Sequence, residues 1–293
     1  MKKKLLVSVS GGRSSALMAY LLYHQFKHQY DMEFVFANTS REKEETLLYV
    51  HNMRVYWGIP ITWVEAIVHK GRKACTHKIV TYETATRDGS VFENVIKKYG
   101  IPNSVFLHCT RELKTNPIRS YMKSLGWGNF TKYTTAIGFR ADEQSRIKPE
   151  KAEKENQIYP LNDWNIKKPD VAVFAKKQPF DLNLADYDGN CKKCYKKTDR
   201  KVMTQIITEP EDIWIDEMEN KYEYFTPETR TQCNPPYRFF RGNTSIKDLR
   251  QMASEGFELA IDQSLNTEKA TYFTDHDLDE IEYGGCAESC EPF

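Results

Sequence analysis

Two short stretches carry residue types whose spacing can do chemistry. The first, Ser10-Gly11-Gly12-Arg13-Ser14-Ser15, follows the apolar run Leu5–Val9 and precedes a helical pattern. Paired glycines at a strand-to-helix turn let backbone N–H groups approach phosphate oxygens, and the helix N-terminus adds partial positive charge. Hydroxyls of Ser10, Ser14 and Ser15, with Ser8 at the strand end, supply further donors, and Arg13 a cation. Taken alone, a tight connection capped by serine explains the six residues equally well. The second stretch is Asp188-Gly189-Asn190-Cys191-Lys192-Lys193-Cys194. Two thiolates three residues apart can share one metal or cluster, although four ligands are the norm. A metal-free redox pair is the other use of this spacing. Lys192, Lys193, Lys196, Lys197, Arg200 and Lys201 crowd the pair. Such cations would depress the thiol pKa values and attract an anionic partner such as a nucleic acid; a solvated helix face also accounts for them.

The elements that must position these stretches follow from periodicity. Leu5–Val9, Glu33–Ala37, Ile61–Ile67 and Tyr133–Phe139 read as strands. Ser15–His28, about 43–56 and Pro117–Leu125 read as helices. This alternation predicts an α/β fold with a doubly wound, mainly parallel sheet, whose ligands sit at the carboxyl ends of the strands. The glycine turn falls at such an end. So do Asn38, Thr39, Glu45 and Thr46, read as nucleotide contacts or as a helix cap with acids in its first turn. Gly138 permits close ligand approach, and Arg140 and Arg146 suit phosphate. Asp142 or Glu143 could hold Mg2+ through a carboxylate. Arg111 and Lys114, beside Cys109, could neutralise developing phosphate charge, or form a plain surface pair. Beyond about residue 148 the pattern loosens, which suggests a nucleotide-binding domain over 1–150 and an appended cysteine-containing region over 151–293.

The glycine turn resembles the Ser-Gly-Gly-x-x-Ser loop of PP-loop ATP pyrophosphatases, the adenine nucleotide α-hydrolases. Four further pieces, in order, resemble the branch grouped with phosphoadenosine phosphosulfate reductases. They are Phe36-Ala37-Asn38-Thr39-Ser40-Arg41-Glu42 with Glu45-Thr46, Cys109-Thr110-Arg111-Glu112-Leu113-Lys114, Ile137-Gly138-Phe139-Arg140-Ala141-Asp142-Glu143, and Gly189-Asn190-Cys191-x-x-Cys194. Together they cover most of the chain, and similar sequences are frequent in phage and mobile elements. The resemblance implies an enzyme that binds ATP or phosphoadenosine phosphosulfate with Mg2+ and couples cleavage or activation at its phosphate to sulfur transfer or reduction. Arg111, Lys114 and Arg140 would be its catalytic cations. Cys109 would join Cys191 and Cys194 as a metal ligand, with Cys286 or Cys290 as the fourth, around a 4Fe–4S iron–sulfur cluster or, alternatively, Zn2+.

The double glycine favours the ATP version, in which ATP adenylates an acceptor and sulfur displaces AMP. In a true reductase, Cys286 or Cys290 would attack the sulfonyl sulfur and a thioredoxin-like reductant would release sulfite. Ser14 stands where ATP-cleaving members usually carry an acid, which admits a third reading, a nucleotide sensor without catalysis. Hydrophobic content of 40% and charged content of 28% are those of a globular chain. With 42 basic and 41 acidic residues, bulk charge does not argue for nucleic-acid binding, though a local patch would. The apolar run after Met1-Lys2-Lys3-Lys4 is too short for a signal peptide, and no stretch has the length of a membrane span. The expectation is a cytoplasmic protein (host cytoplasm, if phage-encoded), able to form a homo-oligomer. Its seven cysteines then point to metal or redox chemistry rather than disulfides.

Overall fold

The computed structural model describes residues 2–71, 73–227 and 234–273. It is a mixed α/β structure built on a six-stranded sheet. In chain order the first elements are β1 (Lys3–Val9), α1 (Arg13–Phe26), β2 (Tyr30–Asn38), α2 (Glu44–Trp57), β3 (Ile61–Ile67) and β4 (Thr76–Val80). Then come α3 (Ser90–Tyr99), α4 (Asn116–Ser124), β5 (Thr134–Ile137), α5 (Pro149–Glu155), β6 (Gln157–Ile158) and α6 (Lys168–Lys176). The chain continues through α7 (Asp199–Thr208), α8 (Trp214–Tyr222) and α9 (Ile246–Ser254).

The strand order is β4-β3-β2-β1-β5-β6. Every pairing is parallel except β3 with β4, an antiparallel edge strand that the sequence pattern does not announce. The chain winds from β1 through β2 to β3 in one direction, then places β5 on the other side of β1. The order therefore reverses between β1 and β5, where open α/β sheets form a ligand crevice.

The apolar runs of the strands serve both faces at once. Leu5, Val7, Phe34 and Phe36 pack into one core with α1, α2 and Phe174 of α6. Their neighbours Leu6, Val35 and Ala37 enter a second core with Ile118, Tyr121 and Met122 of α4. Such two-sided burial explains why these strands lack an alternating pattern. The cores are not divided at residue 150. Strand β6 extends the sheet, and Leu161, Val171, Leu182 and Leu184 join the first core. A third core instead unites α3 and Leu113 with Tyr195, α7, α8, α9 and Phe239. Contacts between segments this far apart in sequence leave no trace in local periodicity. No helix among the described residues is long and apolar enough to cross a membrane.

Helix α4 continues backward further than its proline suggests. A helical turn at His108–Thr110 runs into a π-helical turn over Arg111–Thr115, where the Asn116 N–H bonds the Arg111 carbonyl five residues back. A π turn rotates the side chains that follow it and recurs at functional sites. Here it turns Glu112 inward, to accept from the Cys75 N–H at 3.3 Å, and carries Lys114 to a cavity wall.

Glu219 joins the last elements of the third core. Its carboxylate accepts from the Phe239 N–H at 3.0 Å and the Ile246 N–H at 2.8 Å. Burial pushes its pKa from 4.5 up to about 6 despite those donors. Protonation therefore favours the fold below about pH 4.5, and that contribution is lost as pH rises through about 6. Glu219→Ala should lower unfolding stability by about 2–4 kcal/mol by orphaning two buried donors. It should also remove this share of the pH dependence, as read by urea denaturation at a series of pH values.

Candidate functional site

The crevice at the β1/β5 switch point is a cavity of about 520 Å³. Ser8, Ser10, Gly12, Arg13, Ser14 and Ser15 line one side, Gly138, Arg140, Glu143 and Arg146 the other. Gly11 holds the turn open at a φ of +81°, and a Cβ there would lie 2.4 Å from Thr46 Cγ2. Ser15 Oγ accepts from the Ser10 N–H at 3.1 Å and from the Ser10 hydroxyl at 3.0 Å, and itself donates to the Gly12 carbonyl. The turn is thus locked by its own serines. Gly138 brings β5 against it: a Cβ at Gly138 would stand 3.0 Å from Ser15 Cα and 3.2 Å from Ser15 N.

The cations of the cavity differ in their freedom. Arg13 is committed to the second half of the chain. Its guanidinium meets Asp181 at 2.7 and 2.5 Å and donates to the Leu184 carbonyl at 3.1 Å. Arg140 donates to Ser14 Oγ at 3.0 Å and pairs with Asp142 at 2.8 Å. Arg146 is more than half exposed, pairs with Glu143 at 2.5 Å and lies 4.2 Å over the Phe139 ring. Lys168, which the sequence pattern does not single out, also lines the cavity and pairs with Asp186 at 2.9 Å. Asp186 Oδ1 is buried with no hydrogen-bond partner among the described residues.

Asn38 and Glu45 stand outside the linings of both the crevice and the smaller cavity beside it. The Asn38 side chain is fully buried and donates to Glu65 at 2.7 Å and to the Thr86 carbonyl at 2.8 Å. Glu45 points outward from the first turn of α2. Thr39 faces the second cavity, of about 190 Å³. There Cys109, Cys191 and Cys194 come together with Lys114, Tyr195, Trp214 and Phe239. Lys114 meets the buried Glu42 carboxylate at 3.3 Å, which also takes the Thr39 hydroxyl at 2.6 Å. Cys109 Sγ lies 3.2 Å from the Tyr195 hydroxyl. Arg111 is largely exposed, pairs with Glu112 at 2.8 Å and is not part of this wall.

The lysines around the cysteine pair act differently from the sequence expectation. Burial and the neighbouring Cys194 push the Cys191 thiol up to about 12, against the pull of Lys114 and Lys197. Lys193 is wholly buried and donates to the Glu209 and Asp212 carbonyls at 3.1 and 2.9 Å. Lys197 donates to the Cys191 carbonyl at 2.9 Å. These are structural cations, whereas Lys196 is exposed.

Three thiols around one space have the donor chemistry for a soft metal or a cluster. Their spacing does not complete a site. Among the described residues, no three His, Cys, Asp or Glu side chains converge closely enough to hold a metal ion. Cys286 and Cys290, expected as fourth ligand or nucleophile, lie outside the described residues.

One segment walls both cavities. Asn190 lines the larger one, its side-chain N–H donating to the Ser10 carbonyl at 2.8 Å, while Cys191 and Cys194 line the smaller. The segment is fastened to the chain after β2. Lys43 N–H donates to the Asn190 carbonyl at 2.9 Å and Lys192 N–H to the Arg41 carbonyl at 3.0 Å.

Gly138→Ala tests the contact between β5 and the turn. The methyl meets backbone, so it should cost about 1–3 kcal/mol of stability and displace the first residues of α1. Thermal unfolding should register the first effect, and a weaker ATP titration the second.

No family model matches this chain. It is similar to an uncharacterised nin region protein, ORF290, of Escherichia phage lambda. The two are 28% identical over 298 residues, which span 98% of this chain and 94% of the lambda protein.

Proposed function

We propose that this chain is an enzyme of the PP-loop, phosphoadenosine phosphosulfate reductase-like kind. It would bind an adenine nucleotide in the β1/β5 crevice and couple activation at its phosphate to sulfur chemistry at the cysteine cavity. One observation carries the reading: the segment Gly189–Cys194 is at once a wall of the crevice and the carrier of two thiols of the adjoining cavity. Chemistry at a nucleotide phosphate and chemistry at sulfur then need only a short passage of one intermediate.

Backbone N–H groups of the Gly11–Gly12 turn and the N-terminus of α1 bind phosphate in this reading. Arg140, held by Ser14 and Asp142, orients it, and Arg146 swings from the surface to add charge. Mg2+ supplies further neutralisation when bound. Glu143 and Asp186, the acids that line the crevice, are the residues that would hold it, with Lys168 and Lys201 as the cations Asp186 now faces at 2.9 and 3.9 Å. In the favoured version an acceptor oxygen attacks the α-phosphorus of ATP and pyrophosphate leaves. Lys114 stands in the adjoining cavity, where it holds a positive charge beside the thiols. Sulfonucleotide reduction and catalysis-free nucleotide sensing are the competing versions.

Incubation with ATP and Mg2+ separates them. Pyrophosphate or AMP should appear with the wild-type chain and fall at least tenfold in Gly12→Asp, which sets a carboxylate in the turn without demanding an unusual backbone. Binding of ATP and phosphoadenosine phosphosulfate with no turnover of either would leave only the sensor.

A cluster or zinc at the cysteines is a separate part of the proposal, with Cys109, Cys191, Cys194 and one C-terminal cysteine as ligands. Anaerobic purification should give a broad visible absorption band with stoichiometric iron and sulfide, both lost in Cys191→Ala. Stoichiometric zinc without iron would replace the cluster, and neither metal would remove this part of the reading.

A further inference from the structure

The surface beside the cysteine cavity carries positive charge that the fold does not neutralise. A cleft between the end of β3 and α3 has Lys70, Lys78, Lys97 and Lys98 in its walls. Lys98 Nζ donates to the Lys73 carbonyl at 2.5 Å and lies 4.9 Å from the centre of the Tyr99 ring. Arg111 stands 5.9 Å from that same ring. Its neighbour Thr110 accepts from Lys196 at 3.1 Å, and Arg241 donates to the Lys196 carbonyl at 3.2 Å. Thr110 and Lys196 belong to the rim of the cysteine cavity. The cations thus form one track that ends at the thiols.

Acids along the track are matched. Glu93 pairs with Lys97 and Lys221, Glu112 with Arg111, and Glu65 with Lys78. Lys70, Lys73, Lys98, Lys196 and Arg241 make no ion pair among the described residues. In a chain of net charge +1 this is a concentrated local excess.

We propose that this track binds the phosphate backbone of a single-stranded nucleic acid and sets one of its bases at the cysteine cavity. The inference rests on the cavity being the site of sulfur chemistry, and it names the acceptor class. Phe92, Leu113, Trp214 and Phe239 give the cavity apolar walls, and its volume of about 190 Å³ admits a single base rather than a base pair. A base stacked within a duplex could not reach it without leaving the stack. The half-buried Tyr99, flanked by Lys98, Arg111 and the His108 ring, puts aromatic surface next to the phosphate contacts, the combination that single strands use. An acidic protein segment would match the charge but neither the ring nor the cavity.

Fluorescence anisotropy with labelled single-stranded RNA and DNA twelve-mers of mixed sequence tests this on the full chain. A blunt duplex and a poly-glutamate peptide serve as competitors. The wild type should prefer a single strand to both competitors at least tenfold at 0.1 M salt. Lys73→Glu with Lys98→Glu and Lys196→Glu should weaken binding at least tenfold. Loss of three contacts should flatten the plot of log affinity against log salt by about 2, at about 0.7 per single-strand phosphate. Lys148→Glu with Lys151→Glu and Lys154→Glu makes the same charge change near α5 and should leave binding within twofold. Equal weakening by both triple variants, or displacement by poly-glutamate or duplex as effective as by single strand, would overturn the proposal. The competition uses the wild-type chain alone, so it decides the matter even if the triple mutant misfolds. ATP binding measured on the same samples keeps the two readings apart: its absence in the wild type would sink the nucleotide crevice alone.

Discussion

The arrangement depends on a buried charge lattice that fastens the cysteine segment to the loop after β2. Arg41 meets Asp212 at 2.7 Å and stacks 4.6 Å from the Trp214 ring. Lys193 meets the same Asp212 at 3.0 Å. Lys43 pairs with Asp188 at 2.6 Å and also with Glu209. Side chains of Arg41, Lys43 and Lys193 are almost wholly removed from water. Buried pairs of this kind add little net stability over apolar packing, yet loss of one partner strands a charge at a cost of about 3–5 kcal/mol. Their value is in register. In the observed alignment Arg41, Lys43 and Lys193 each meet a carboxylate, and Asn190 meets Ser10.

The lattice also explains why basic residues nearby do not lower the Cys191 thiol. A cation lowers a thiol pKa only if its field is not cancelled and the thiolate can be solvated. Lys193 is cancelled by Asp212 and two carbonyls, and Lys43 by two carboxylates. Desolvation then dominates at Cys191. A neutral thiol at rest is compatible with sulfur chemistry in which activation arrives with a second group.

Much of the sheet was legible because buried parallel strands leave apolar runs of fixed length. Ile61–Ile67 matches its expected span, and β1, β2 and β5 differ from theirs only at the ends. The glycine turn was legible for a related reason, since a strand-to-helix connection this short restricts residue type. What stayed hidden was set by partners distant in sequence. Asn38 and Glu45 occupy a strand end that should face a ligand, yet Asn38 is held by Glu65 and Thr86, and Glu45 faces outward. Arg13 reads as a phosphate ligand until Asp181, 168 residues away, takes its guanidinium. Lys193 and Lys196 look alike in a lysine run, and only the fold buries one against Asp212 and leaves the other exposed. The π turn at Arg111–Thr115 has no sequence signature, although it directs Glu112 and Lys114 to different tasks.

The two cavities are best understood through what separates them. The crevice is the wider of the two, and Arg146, paired with Glu143 and more than half exposed, lines it. The cysteine cavity is smaller and largely apolar, and Lys114 in its wall is held by Glu42, which also accepts from Thr39. A charged group would gain little by moving from the first to the second, whereas a neutral ring would lose less on desolvation. Glu42 and Asn190 stand at the junction: Glu42 bridges to Cys191 across the isolated backbone pair, and Asn190 holds the phosphate turn. Movement of either segment must be felt by the other, because the hydrogen bonds that join them are backbone to backbone. The glycine turn is also joined to the segment of Cys191 and Cys194, through the Asn190 side chain.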